Sequence, residues 1–305
     1  MLYYLFEYLE TFNIPGIRVF QYISFRAGLT FIFSLAFTIL FGKYVIRFLQ
    51  KQQIGEIIRD LGLEGQMQKK GTPTMGGILI ISAILIPVLL FSQLHNIYII
   101  LMIFTTLWLG MIGFADDYIK VFKKNKEGLK GIYKMAGQIV LGLIVGLTLH
   151  YNSNVVIIEN VVSRKTVVPM ELAEENDLKA LNIQEVKSTK TTIPFIKNNE
   201  FDYSWFLWFM GSEASKKWSW IVFIFFVVLI TTAVSNGANM TDGLDGLATG
   251  ISAIIGAALA VFAYLSGHVV YADYLNIMYI PHSGELVVFA AGFLGATIGF
   301  LWYNA

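Results

Sequence analysis

The stretch Trp220–Gly250, "WIVFIFFVVLITTAVSNGANMTDGLDGLATG", decides how this chain is read. Residues 220–234 carry no charge and look like most of a bilayer span, which needs roughly 17–25 apolar residues. Directly behind them stand Asn236, Asn239, Thr241 and two acids, Asp242 and Asp245, before apolar residues resume at Leu247. Two carboxylates three residues apart, at the mouth of a membrane segment, either cap a helix or hold something.

The composition agrees with a membrane setting. The 305 residues are 56% hydrophobic and 14% charged, against about 25% charged in ordinary soluble domains. A net charge of +1 gives no pull toward nucleic acid. There is no cysteine, so disulfides, thiolate nucleophiles and zinc–thiolate sites are excluded, and a metal would be held by oxygen or histidine. The opening "MLYYLFEYLE" lacks the basic start of a cleavable signal.

Seven spans are expected, at about 24–47, 76–94, 97–114, 132–150, 219–236, 245–266 and 285–303. The fold class is therefore an all-α polytopic membrane protein. Orientation follows from basic residues in short loops. Lys43, Arg47, Lys51, Arg59, Lys69 and Lys70 surround the first loop. Lys120, Lys123, Lys124, Lys126, Lys130 and Lys134 surround the third, whereas 93–97 and 267–284 have no Lys or Arg. The basic loops and the Asp242 loop are thus expected in the cytoplasm, with the N-terminus outside. Residues 151–217 are polar and contain alternating runs such as "NVVIIENVV", which predict an extracytoplasmic insert with short strands or hairpins. The chain divides into four spans with active-site loops (1–150), the insert (151–217) and three spans with the "NMTDGLDG" loop (218–305).

Three constellations fall on the inner side. In "GFADDYIKVFKKNKEG", Asp116 and Asp117 are adjacent at the end of the third span, with Lys120 one turn after Asp117. The bland reading is a solvated helix end with an i,i+3 ion pair. Adjacent carboxylates raise each other's proton affinity unless a cation sits between them, and the lysines behind them suit an anionic substrate. In the opening stretch, the bland reading makes Asp242 an N-cap and Asp245 a first-turn acid. It leaves Asn236, Asn239, Thr241, Gly243 and Gly246 unexplained, and a three-residue spacing would put both acids on one helical face. The third is "QKKGTPTMGG", residues 68–77, a candidate phosphate cradle before a helix, though not a Walker motif. Hard oxygen ligands point to Mg²⁺ or Mn²⁺, lysines to phosphate, and the apolar scaffold to a lipid substrate. The chemistry expected is phosphoryl transfer at a membrane surface. His95, His150, His268 and His282 fall on the outer side, away from it.

"KKGTPTMGG", "GFADDYIK", "NMTDGLDGLA" and "GELVVFAAGFLGATIGFLWYNA", in this order, resemble the bacterial phospho-N-acetylmuramoyl-pentapeptide transferases, which are polyprenyl-phosphate sugar-1-phosphate transferases. The likeness covers most of 20–150 and 219–305; the segment 151–217 is longer than usual and matches poorly. The resemblance implies transfer of phospho-MurNAc-pentapeptide from UDP-MurNAc-pentapeptide to undecaprenyl phosphate, giving lipid I and UMP, with Mg²⁺, at the cytoplasmic face of the bacterial inner membrane. It implies Asp116, Asp117 and Asp245 as catalytic residues, with Asp117 as base or lipid-phosphate partner. Asp117 and Asp245 would hold the metal. Lys69, Lys70, Thr74, Lys120, Lys134, Asn239, Asp242, Gly243 and Asn304 would line the substrate cleft. The bilayer is a partner, and a homodimer is admitted.

The family's pattern continues past "FLWYNA" into a loop with a metal-binding aspartate in an "MGD" motif, further spans and a histidine-rich loop. This sequence stops at Ala305, so the resemblance implies seven of ten spans and no turnover by these residues alone. Three other readings stay open. One is a related transferase for another UDP-N-acetylhexosamine. Another is a secondary transporter, which would place acids near the bilayer midplane in broken helices. A non-catalytic scaffold is the third.

Overall fold

The computed structural model describes residues 1–51, 75–123, 125, 128–160, 183–193, 196, 199–242 and 246–304. Its helices are α1 (Leu2–Glu10), α2 (Ile23–Lys51), α3 (Gly77–Phe91), α4 (Ile97–Phe122), α5 (Gly131–Tyr151), α6 (Ser212–Thr241), α7 (Leu247–Ser266), α8 (Val269–Tyr274) and α9 (Leu286–Asn304). Among the described residues, six helices are long and apolar enough to cross a membrane, and α3 is a shorter apolar one. At 15 residues, α3 is about 22 Å long, less than the hydrocarbon core of about 30 Å. It contains Pro87, which removes one backbone donor, and stops at Ser92, whose hydroxyl donates to Val88 O at 2.6 Å.

The apolar residues of these helices face outward. Phe225, Ile254 and Phe262 are exposed, as expected where lipid is the solvent. What α2 buries instead is polar and small: Arg26, Thr30, Ser34, Thr38 and Gly42, every fourth residue. Every fourth residue shares one helical face, and this face packs on α9, which also contacts α3 and α7. With little hydrophobic drive between helices in lipid, close backbone approach and hydroxyl hydrogen bonds hold them together. Thr30 and Thr38 donate to Arg26 O and Ser34 O at 2.7 and 2.9 Å, satisfying their hydroxyls within the helix. Ser34 reaches across to Gly292 O at 2.7 Å. A second cluster joins Ala83, Ile84 and Val88 of α3 to Ile99 of α4 and Phe289 and Ala296 of α9.

Gly295 marks the tightest approach. A Cβ there would fall 2.9 Å from Ser34 Cβ and 3.0 Å from Leu35 N. Backbone cannot swing aside as a side chain can, so Gly295→Ala should cost about 1–3 kcal/mol. Gly28 on the same pair of helices has open space around it, so Gly28→Ala should be neutral or gain up to about 1 kcal/mol of helix propensity. Thermal unfolding of both variants in detergent checks this; equal midpoints would refute the packing account.

The connections after α5 and α8 are tied down by short sheets. Strand β1 (Ile157–Asn160) pairs antiparallel with β2 (Ile183–Val186), Ile157 opposite Val186. Strand β3 (Lys190–Thr192) pairs with β4 (Glu200–Asp202), Lys190 opposite Asp202. Short paired strands are what the alternating runs predict; residues 161–182, between β1 and β2, lie outside the described residues. An isolated bridge from Ile158 to Tyr279 and a hydrogen bond from Asn199 Nδ2 to Asn276 O (3.1 Å) join this segment to the α8–α9 connection.

Three elements escape the hydropathy reading. Helix α1 packs beside α3, with the Met1 ammonium on Leu89 O at 2.6 Å. Helix α6 begins at Ser212, in residues polar enough to read as insert. Helix α4 continues to Phe122, so Asp116, Asp117 and Lys120 are helical rather than loop residues.

At the end of the bundle where α2 and α9 begin, Arg26 and Glu285 are both buried. They form a two-pronged ion pair: Nη1 donates to Oε2 at 2.8 Å and Nη2 to Oε1. Arg26 Nη1 also reaches Phe91 O at 3.3 Å, and the Gln93 backbone N–H donates to Glu285 Oε2 at 3.2 Å. The Tyr3 ring covers the guanidinium at 4.9 Å. One charge pair thus joins α1, α2, the end of α3 and the start of α9.

Candidate active site

The opposite end of the bundle is built from the start of α3, the last turns of α4, the start of α5 and the end of α6. Asp116 is buried and fully engaged. Lys120 Nζ donates to Oδ2 at 2.7 Å, Lys134 Nζ to Oδ1 at 2.9 Å, and the Leu129 backbone N–H to Oδ1 at 2.7 Å. The ion pair of Lys120 is therefore the i,i+4 one with Asp116, not an i,i+3 pair with Asp117. Asp116 ties α4 to α5 and to the loop between them.

Gly128 makes that loop possible. Its φ of +68° is in the left-handed region, and a Cβ there would meet the Asp116 carboxylate and lie 2.7 Å from Lys120 Cε. No side chain fits without expelling one of those partners. Nothing in the sequence but a glycine after a lysine run signals it.

Asp117 stands differently. It is half-buried, beside Asp116, under the fields of Lys120 and Lys134, with the Met75 backbone close to its carboxylate. Met75 has φ +74°, a conformation that costs a non-glycine residue about 1–3 kcal/mol. Burial of its side chain against Leu49, Val45 and Val121 holds it there. In this conformation the Met75 backbone, just ahead of α3, lies near Asp117. The positive end of the α3 dipole faces the same carboxylate. Asp116 is thus a structural acid with its charge cancelled, and Asp117 an acid left accessible among donors and cations.

The capping reading of Asp242 does not hold. Asp242 is the C-cap of α6, with φ −77° and ψ 62°. The N-cap of α7 is Gly246, at φ 74° and without a side-chain cap hydrogen bond. An anion at a helix C-terminus opposes the dipole, so local helix stability does not account for it. The expected shared helical face of Asp242 and Asp245 falls partly outside the described residues, which exclude Asp245. Asn239 and Asp242 are exposed, and neither has a hydrogen bond or ion pair among the described residues. Asn304 is the last residue of α9. Lys69, Lys70, Thr74, Gly243 and Asp245 lie outside the described residues. The structure therefore brings Asp116, Asp117, Lys120 and Lys134 into one cluster and leaves Asn239 and Asp242 exposed at the end of α6.

For a metal, the described residues offer no group of three His, Asp or Glu side chains. Asp116 is unsuited, with ammonium groups on both oxygens. Asp117 fits as one hard oxygen ligand.

Residues 69–81, the segment that delivers Met75 to Asp117, match phospho-N-acetylmuramoyl-pentapeptide-transferase signature 1, and residues 98–305 match glycosyl transferase family 4. Over its whole length the chain is 56% identical to the phospho-N-acetylmuramoyl-pentapeptide-transferase of Flavobacterium johnsoniae, covering 74% of that protein. It is 57% identical to the one from Parabacteroides distasonis and 52% identical to that of Bacteroides fragilis, covering 71% of each. The chain belongs to the phospho-N-acetylmuramoyl-pentapeptide-transferase family. Membership in this transferase family agrees with the helical polytopic fold, and it puts the signature segment, the acid pair and the α6–α7 connection in one protein.

Proposed function

We propose that the protein transfers phospho-MurNAc-pentapeptide from its UDP carrier to undecaprenyl phosphate, releasing UMP, in the first membrane step of peptidoglycan synthesis. The observation that carries this reading is Asp117: an accessible carboxylate beside a neutralised one, close to the signature segment at the mouth of a membrane bundle. An oxygen of the lipid phosphate attacks the sugar-bearing phosphorus, and the bond to the UMP oxygen breaks. Asp117 takes the proton of the lipid phosphate or faces that phosphate directly. Lys120 and Lys134 hold Asp116 and set positive charge where the diphosphate arrives. Asn239, Asp242, Gly243 and Asn304 serve the nucleotide side, with Lys69, Lys70 and Thr74 from the signature segment. Mg²⁺, held by Asp117 and Asp245, would supply charge neutralisation of the diphosphate.

The relatives are longer than this chain, and we expect no turnover from residues 1–305 alone. Activity is therefore measured in a completed protein, residues 1–305 joined to the unmatched part of the Flavobacterium johnsoniae relative. Supplied with UDP-MurNAc-pentapeptide, undecaprenyl phosphate and Mg²⁺, it should release UMP, and UDP-N-acetylglucosamine should not substitute. The reverse preference would move the protein to a neighbouring transferase specificity.

We also propose that the acid-bearing end faces the cytoplasm of the inner membrane. The basic residues around the first and third loops support this orientation. Topology reporters fused at Asn125 and Lys187 should then read cytoplasmic and external respectively, and the same side for both would overturn it.

A further inference from the structure

Gln138 lies in the second turn of α5 and is buried. A carboxamide inside a span is expensive unless its hydrogen bonds are made. Here they cross to α6: Nε2 donates to Ser235 Oγ at 2.9 Å, and Oε1 accepts from Asn236 Nδ2 at 2.8 Å. Asn236 Nδ2 is also shared with Thr232 O at 2.9 Å, which fixes its rotamer.

Gln138 belongs to a stripe at every fourth residue of α5 that sets the register with α6. His150 stacks on Trp220 at 5.4 Å between ring centroids. A Cβ on Gly146 would lie 3.5 Å from Ile224 Cα, and one on Gly142 would lie 2.8 Å from Val228 Cα. As far as Gly142, each step of four along α5 is matched by four along α6 in the opposite direction. This register sets the Gln138 backbone level with Thr232, and its carboxamide reaches one turn further, to Ser235 and Asn236. Continued by four, the same register sets Lys134 level with Asn236, within one turn of Asn239. Lys134 is the residue that holds Asp116. Among the described residues, the Gln138 pair is the last side-chain hydrogen bond between α5 and α6 before Asn239 and Asp242.

We propose that Gln138 is a positioning residue: by clamping Ser235 and Asn236 it holds the Asn239–Asp242 end of α6 within about two turns of the Lys134–Asp116 cluster. The functional part of this inference rests on the reading that Asn239 and Asp242 serve the nucleotide.

The chain has no cysteine, so cross-linking in residues 1–305 tests the geometry without turnover. Two double variants are made, Gly146→Cys with Ile224→Cys and Lys134→Cys with Asn239→Cys. Both pairs should cross-link in membranes when Gln138 is present. With Gln138→Met, which keeps length and loses the amide, the inner pair should cross-link several-fold more slowly and the outer pair at its former rate. An unchanged inner pair overturns the proposal. So does equal loss of both pairs, which would make Gln138 glue for the whole interface. In the completed protein, Gln138→Met should raise KM for UDP-MurNAc-pentapeptide about tenfold, the scale of a coupled pair, and leave KM for undecaprenyl phosphate unchanged. A fall in kcat with both KM values constant refutes the positioning role. Failure of the transferase reading would appear separately, as UMP release that survives Asp117→Asn.

Discussion

Replacing Asp117 with Asn in the completed protein should lower UMP release at least about 10²-fold, the scale of losing a general base or key charge at a reacting group. The substitution keeps the size of the side chain and leaves Met75 packed against Leu49, Val45 and Val121, so packing and the strained turn before α3 should survive. Thermal stability in detergent should therefore stay near that of the parent. Asp116→Asn should behave otherwise. Its carboxylate receives two ammonium groups and the Leu129 N–H, and without its charge Lys120 and Lys134 repel each other across the α4–α5 junction. Stability and turnover should fall together. Near-normal UMP release from Asp117→Asn, beside a silent Asp116→Asn, would reduce the pair to a solvated helix end.

Much of the scaffold can be read from hydropathy, because a span leaves a run of apolar residues that composition alone detects. The lipid-facing residues write that signal, and the interior does not. Arg26, Thr30, Ser34 and Thr38 form the buried stripe of α2, yet each lowers the local hydropathy and reads as noise within a span. Gly292, Gly295 and Gly299 make sense only once α2 lies against them. The same asymmetry explains α6, whose first turns are polar and whose helical character comes from packing against the Tyr203–Met210 3₁₀ segment.

The site divides similarly. Asp116, Asp117, Lys120 and Lys134 are visible as acids and lysines at a span end, and the structure joins them. Which acid is cancelled is a matter of i,i+4 geometry and of the Gly128 turn, and neither is visible in spacing alone. Around Asp242, sequence cannot separate the end of one helix from the start of the next when a few residues hold both. A capping acid and an acid placed against the dipole look identical there. The φ of +74° at Gly246 shows where α7 begins and turns Asp242 from a cap into a residue needing another explanation. The nucleotide reading supplies one.

The buried pair of Arg26 and Glu285 should give the largest loss of stability. Both side chains are nearly sealed, at 1% and 4% exposure. Glu285→Ala removes the carboxylate and leaves a guanidinium among Phe91, Tyr3 and apolar helices, with Phe91 O as its remaining polar partner. Removing one partner of such a pair costs about 3–5 kcal/mol, because the surviving charge stays desolvated. The loss should extend beyond the pair, since the Gln93 N–H also loses its acceptor and the α3–α4 turn loosens. Replacing both residues, Arg26→Met with Glu285→Leu, leaves no orphaned charge and should recover most of the stability. Unfolding of residues 1–305 in detergent, followed by helical circular dichroism against temperature, reads all three proteins. If the double variant unfolds as early as Glu285→Ala, the cost lies in packing and not in the charge. If Glu285→Ala unfolds with the parent, the pair contributes nothing to this junction, and the helices there are held by the α2–α9 packing and the apolar cluster of α3, α4 and α9.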